Sequence, residues 1–242
     1  MRKSVWLMIL CLVLLVGCGK NGEAETTVNG APETEVLTLG EENVEIYAPT
    51  VGTGSETTAP TEERHLLVME SQGRITGRYL EDGSDDAVEN VACALIRNTG
   101  DRYLDYGVVK AVAGDREYSF LVTGLPGGDA VWVMEQNRQT LEEGSTLTFL
   151  EEQVSQLREV ESQDQRITVD LLEGKVSVTN VSDKALASVR IYYKQVHKDG
   201  NFLGGITYTC VTETIEAGAT VEVTGGHSRA EGCAVVRLDV TE

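Results

Sequence analysis

Histidine, proline and aromatic side chains are scarce in this 242-residue chain, which holds three His, four Pro, three Phe, two Trp and eight Tyr. His65, His197 and His227 stand far apart, and neither a His-Glu-x-x-His nor a Cys-x-x-Cys spacing occurs. That argues against a histidine-based metal centre, and no cofactor is expected. Positive charge is sparse too: 20 Lys and Arg face 39 Asp and Glu, a formal net charge of −19. No Lys/Arg cluster offers phosphate a local landing site, so nucleic acid is not expected as a partner, and the plain reading of the acidity is solubility. Long apolar runs are missing except from Val5 to Val16, which falls short of the about 20 residues a spanning helix needs.

Arg2 and Lys3 precede that run and Gly17-Cys18-Gly19-Lys20 ends it, the layout of an export signal over residues 1–17. Leu15-Val16-Gly17-Cys18 resembles the lipobox of bacterial lipoproteins, whose small residue before the cysteine admits the peptidase. The resemblance implies cleavage before Cys18, a diacylglyceryl thioether on its sulfur, and membrane lipid as a partner on the extracytoplasmic face. Each buried lipid methylene contributes about 0.8 kcal/mol, so two or three acyl chains hold where one does not.

Residues 18–65 change character. From Gly19 to Arg64 lie three of the four prolines and many glutamates and threonines, with only Lys20 and Arg64 basic. Val36, Leu37, Leu39, Val44 and Ile46 suggest one strand, yet the surrounding carboxylates repel and little apolar surface is available to offset ordering. This segment is expected to be a flexible acidic linker of roughly 40 Å reach.

From Leu66 onward apolar residues recur with period two in short runs broken by Gly and Asn/Asp, which predicts half-buried strands. Val91 to Ile96, Ala130 to Met134, Ser188 to Tyr193 and Cys233 to Leu238 are examples, whereas Glu151 to Glu161 reads as a strand running into a connector. Asn98-Thr99-Gly100-Asp101-Arg102-Tyr103-Leu104 then recurs as Asn180-Val181-Ser182-Asp183-Lys184-Ala185-Leu186, and Leu125-Pro126-Gly127-Gly128-Asp129-Ala130 as Ile215-Glu216-Ala217-Gly218-Ala219-Thr220. The extra residues of the second copy fall between His197 and Gly205, opposite Gly114 to Glu117. Two tandem folds, residues 66–152 and 163–242, are the simplest account. Asn98 and Asn180 are expected to turn the chain through their own side chains.

At these residues the chain resembles the immunoglobulin-like modules of Firmicutes-type surface lipoproteins, a grouping that includes FxLYD-like domains; the Phe-x-Leu-Tyr-Asp string itself is replaced by Leu104-Asp105-Tyr106. Gly204-Gly205-Ile206-Thr207-Tyr208 is similar to stretches of clostridial proteins. The resemblance implies an all-β chain of two tandem immunoglobulin-like β-sandwich domains and carries no activity with it.

Catalytic motifs fare badly. Gly226-His227-Ser228-Arg229-Ala230 comes within one residue of a nucleophile elbow, but a strand pattern follows it and no histidine lies beyond. Glu81-Asp82-Gly83-Ser84-Asp85-Asp86 gathers carboxylates without the alternation of a calcium loop, and reads as a solvated acidic loop. Of the five cysteines, Cys11 leaves with the signal and Cys18 carries lipid; Cys210 and Cys233 are candidates for a disulfide, with Cys93 left as a small buried residue. The expected function is non-enzymatic binding or scaffolding in the cell envelope, with an envelope protein or extracellular ligand as partner and the His197–Gly205 hairpin as the contact. The alternative is a glycan-binding adhesin or substrate-capturing lipoprotein, for which Tyr103, Tyr106, Trp132, Tyr192, Tyr193, Phe202 and Tyr208 are the stacking candidates.

Overall fold

The alternating runs form fourteen strands and no helix among the residues that the computed structural model describes, namely 34–39, 42–47, 65–156, 159–228 and 232–242. The signal segment, Cys18 and much of the expected linker lie outside these residues. In chain order the strands are β1 (Thr34–Leu39), β2 (Glu42–Tyr47), β3 (Leu67–Arg78), β4 (Ala87–Asn98), β5 (Leu104–Ala113), β6 (Arg116–Leu125), β7 (Ala130–Met134) and β8 (Thr148–Gln156). The second copy supplies β9 (Ile167–Leu172), β10 (Lys175–Asn180), β11 (Ser188–Val196), β12 (Phe202–Val211), β13 (Thr220–Thr224) and β14 (Cys233–Thr241). The chain is all-β.

Each copy uses its six strands alike. The first makes the triplets β3-β4-β7 and β6-β5-β8, and the second the matching triplets β9-β10-β13 and β12-β11-β14. Facing triplets bury one core per copy. Leu67, Ala94, Ile96 and Val133 meet Val109, Phe120 and Val122 in the first, and Val176 and Val178 meet Val189, Ile191 and Tyr193 in the second. Each such side chain contributes about 1.5–3 kcal/mol relative to exposure.

The two copies keep their own cores but share a sheet. One eight-stranded sheet runs β1-β2-β3-β4-β7-β12-β11-β14 through both. The splice is a short parallel pairing of β12 with β7, Phe202 opposite Val131 and Leu203 opposite Trp132. Unlike triplets are joined, so the contact is head-to-tail. β4 and β7 are consequently buried on both faces: Cys93, Trp132 and Met134 turn away from the main core and pack with Tyr79, Leu80 and Leu203.

A correction concerns the linker, in which β1 and β2 pair antiparallel and β2 pairs on β3 from Asn43 opposite Thr76 to Tyr47 opposite Gln72. The outer half of β3 offers main-chain partners that a free coil lacks, and these add to the β propensity of Val36, Leu37, Val44 and Ile46.

The repeated asparagines behave alike to the atom. Asn98 Nδ2 donates to the carbonyls of Arg102, Leu125 and Pro126 at 2.8, 3.1 and 3.2 Å. Asn180 Nδ2 donates to those of Lys184, Ile215 and Glu216 at 2.7, 2.9 and 3.2 Å. Each Oδ1 accepts from the amide two residues on, Gly100 or Ser182. Both side chains are fully buried, so every corner carbonyl they reach is satisfied without water.

Candidate functional site

Two features stand apart from ordinary core: the clasp between the repeats and an open groove on the second. The clasp begins where β7 and β12 diverge. Glu81, from the acidic loop, bridges them: its Oε1 accepts from Met134 N at 2.8 Å and its Oε2 from Gly205 N at 2.6 Å. Opposite charge comes from Lys194 on β11, whose Nζ donates to Thr123 O at 3.0 Å, Gly205 O at 3.1 Å and Ile206 O at 2.7 Å. Three carbonyls match the three protons of an ammonium. Burial pushes the Glu81 carboxyl up and the Lys194 amine down; the Met134 and Gly205 amides and the Lys194 charge oppose the first shift, and the Glu81 charge opposes the second.

Shape completes the clasp. A Cβ on Gly205 would stand 1.8 Å from the Leu121 carbonyl oxygen, so only glycine lets β12 lie this close to β6. Thr207 Oγ1 donates to Thr123 O at 2.7 Å, and Trp132 Nε1 donates to Asp199 Oδ2 at 3.1 Å. Burial works to raise the Asp199 carboxyl, but hydrogen bonds from Asn201 and Trp132, with His197 Nδ1 3.0 Å away, outweigh it and hold it down at about 2. The hairpin from His197 to Gly205, expected to meet an outside partner, therefore spends its extra length on the first repeat. Glu81 likewise leaves the solvated loop of the sequence reading. The rest of that loop is held by Arg138, which pairs with Asp82 at 2.7 Å and Asp86 at 3.0 Å.

The groove lies on the far side of the second repeat, between β9 and β14, each the last strand of its sheet. Its larger part, about 950 Å³, is walled by Ile167, Val169, Val235 and Leu238 and by the connector from Glu161 to Gln165. A further part of about 530 Å³ continues along Leu171 and Leu172 to Cys233. Asp164 orders the entrance by bonding Arg166 Nη2 at 2.7 Å and Arg166 N at 2.8 Å. The arrangement offers main-chain edges over an apolar floor and suits binding.

Sequence-named residues distribute as follows. Cys18 lies outside the described residues. Cys210 and Cys233 form no disulfide, which corrects the pairing suggested for them. They sit on opposite sides of β11, Cys210 opposite Ile191 and Cys233 opposite Gln195. Two strand spacings of about 4.8 Å, together with the offset along β11, exceed the about 7 Å Cα limit. Ser228 of the elbow-like stretch is buried with its hydroxyl within 3.0 Å of the Leu172, Lys175 and Gly225 carbonyls, a turn fastening rather than a nucleophile. Of the stacking candidates, Tyr103, Trp132 and Tyr193 are buried and Tyr106 is exposed. Sequence reasoning missed Glu81, Lys194 and the groove; the Gly204-Gly205 pair was the one signal for a close approach. Compared with known protein families, curated proteins and solved structures, the chain matches none.

Proposed function

We propose that this chain is a lipid-anchored, non-enzymatic binding protein of the cell envelope, with two immunoglobulin-like repeats clasped into one body and presented outside the membrane. The observation that carries the binding part is the groove between β9 and β14, which exposes half-buried Val169 and Val235 beside two sheet edges. The buried roles of Ser228, Trp132 and Tyr193 also favour it over hydrolysis or stacking on sugars. The anchoring part rests on Leu15-Val16-Gly17-Cys18 and the charged, apolar segment before it.

Two measurements test the proposal. Labelled fatty acid should appear on the wild-type chain in cells and vanish with Cys18→Ala, which should also release the protein or leave it unprocessed; label retained by Cys18→Ala sinks the anchor. Crosslinking on living cells should capture a partner. Turnover of a glycan or peptide to defined products by the purified chain overturns the binding reading.

A further inference from the structure

We propose that the groove between β9 and β14 takes up an extended segment of a partner protein as an added β-strand, and that this segment alternates apolar with basic residues. The inference rests on the binding reading and names the partner's chemistry. Internal comparison carries it. Val109 and Ile191 occupy matching places in the repeats; Val109 pairs with Glu152, and Ile191 pairs with Leu238. Leu67 and Ile167 match too, each opposite its corner asparagine.

In the first repeat Glu152 crosses the seam: its carboxylate accepts from Leu66 N at 2.8 Å and Leu67 N at 2.7 Å, closing β8 onto β3. In the second repeat Leu238 stands in that place and cannot bridge, so the seam stays open over an apolar floor. The amides equivalent to those Glu152 caps are instead satisfied by Asp164, to which Arg166 N and Ile167 N donate.

The outward edge of β14 already takes one main-chain partner, since Leu238 N donates to Glu161 O at 2.7 Å before the connector departs. A strand laid beyond that point meets β14 on one side and β9 on the other. It would bring the second repeat to the seven strands of an immunoglobulin-type sandwich and remove two open edges. Alternation places every second side chain on Val169, Val235 and Leu238, and the others outward near the exposed carboxylates of Glu161 and Asp170. On a chain of net charge −19 those outward residues are basic. The strands β1 and β2 of a second copy, which carry Glu35, Glu42 and Glu45 and no basic residue, suit the rim poorly.

The test uses the full chain and a synthetic capped peptide of about seven residues, the length of β9 at about 3.3 Å per residue plus one. It alternates valine and lysine; one control groups the valines together and another replaces lysine with glutamate. Residue-resolved amide hydrogen exchange should show new protection at Ile167–Leu172 and Val235–Thr241 with the alternating lysine peptide alone. Affinity should fall about tenfold or more when Glu161→Lys and Asp170→Lys reverse the rim, surface changes that leave the core untouched. Leu238→Glu, which restores the carboxylate of the first repeat, should abolish the protection. Protection by the grouped peptide, protection confined to other strands, or no protection up to the peptide's solubility overturns the inference. So does protection of β9 and β14 that grows with protein concentration in the absence of peptide, which assigns the groove to a second copy. A partner crosslinked on cells through another surface leaves the binding reading standing while this inference fails; turnover of a glycan or peptide removes both.

Discussion

Lys194 of the second repeat donates its ammonium proton to the Thr123 carbonyl of the first across 3.0 Å, and it does so fully buried. The Thr207 hydroxyl of β12 donates to the same carbonyl at 2.7 Å, so two groups of the second repeat converge on β6. Since Glu81 returns the opposite charge from the first repeat, each half supplies one member of the clasp. Folding of the two halves is thereby coupled.

Lys194→Met should therefore leave the Gly205 and Ile206 carbonyls without their donor and take away the cation that favours the Glu81 carboxylate, at a cost of about 3–5 kcal/mol. Adding Glu81→Gln removes the carboxyl that has lost its counter-charge, so the double variant should lose less than the sum of the singles. Urea midpoints of the four proteins measure this, and additive losses would show that the two groups do not interact.

Gly205→Ala should be as damaging by another route. The added methyl meets a backbone oxygen at 1.8 Å, where neither strand can yield cheaply, and a loss of at least about 3 kcal/mol is expected. Shortening the hairpin from His197 to Gly205 to the length of its counterpart should split a single unfolding transition into two, because β12 then loses β7. A single unchanged transition would place the coupling elsewhere.

Much of the fold was legible because its signals are local. Asn98 and Asn180 announced matching corners, and the alternating run from Ser188 to Tyr193 announced β11. The clasp was not legible, since Lys194 follows Tyr193 in an alternating strand and so reads as solvent-facing; only β6 and β12, distant in sequence, bury it. Glu81 was hidden in the same way by its three neighbouring acids Asp82, Asp85 and Asp86, which do remain near solvent. The hairpin of β1 and β2 escaped because pairing on β3 stabilises it, and composition does not record that edge.

Asn98→Ala and Asn180→Ala should cost similar amounts, about 2–4 kcal/mol each, because each leaves corner carbonyls and one amide buried without partners. Asn180→Asp should be worse than Asn180→Ala, since a carboxylate would face the carbonyls of Lys184, Ile215 and Glu216. Thermal unfolding of the set checks the order, and a harmless Asn180→Ala would contradict the role assigned to the corner.

Thiol labelling separates the cysteines of the repeats. Cys93 and Cys210 are buried, and burial pushes the Cys210 thiol up to about 11 and the Cys93 thiol higher still. Thiolate is the reacting form, so a maleimide should label Cys233 first in the native chain and the other two after unfolding. Intact mass should add one label natively and three when denatured, residues 19–242 being counted; a chain that gains one only would reveal a disulfide.

Alkaline pH should weaken the fold through its tyrosines. Burial, with the charges of Glu81, Asp82 and Glu135 behind it, pushes Tyr79 up to about 12, and its hydroxyl donates toward the Glu135 and Gln136 carbonyls. Tyr208, stacked on Tyr193 at 5.6 Å and on His227 at 4.9 Å, is pushed up to about 12 by burial and by Asp85 and Glu81. In the unfolded chain both ionise near 10. A group whose folded pKa lies above its unfolded one favours the fold fully below the lower value, and that contribution disappears as pH rises through the higher one. Stability should therefore hold up to about pH 10 and fall steadily toward about pH 12. Urea unfolding across that range, followed by tyrosinate absorbance, reads the loss directly. Tyr79→Phe, which cannot ionise, should start less stable because its two carbonyl partners are left, yet decline less steeply; an equal slope for wild type and Tyr79→Phe would remove Tyr79 from the account.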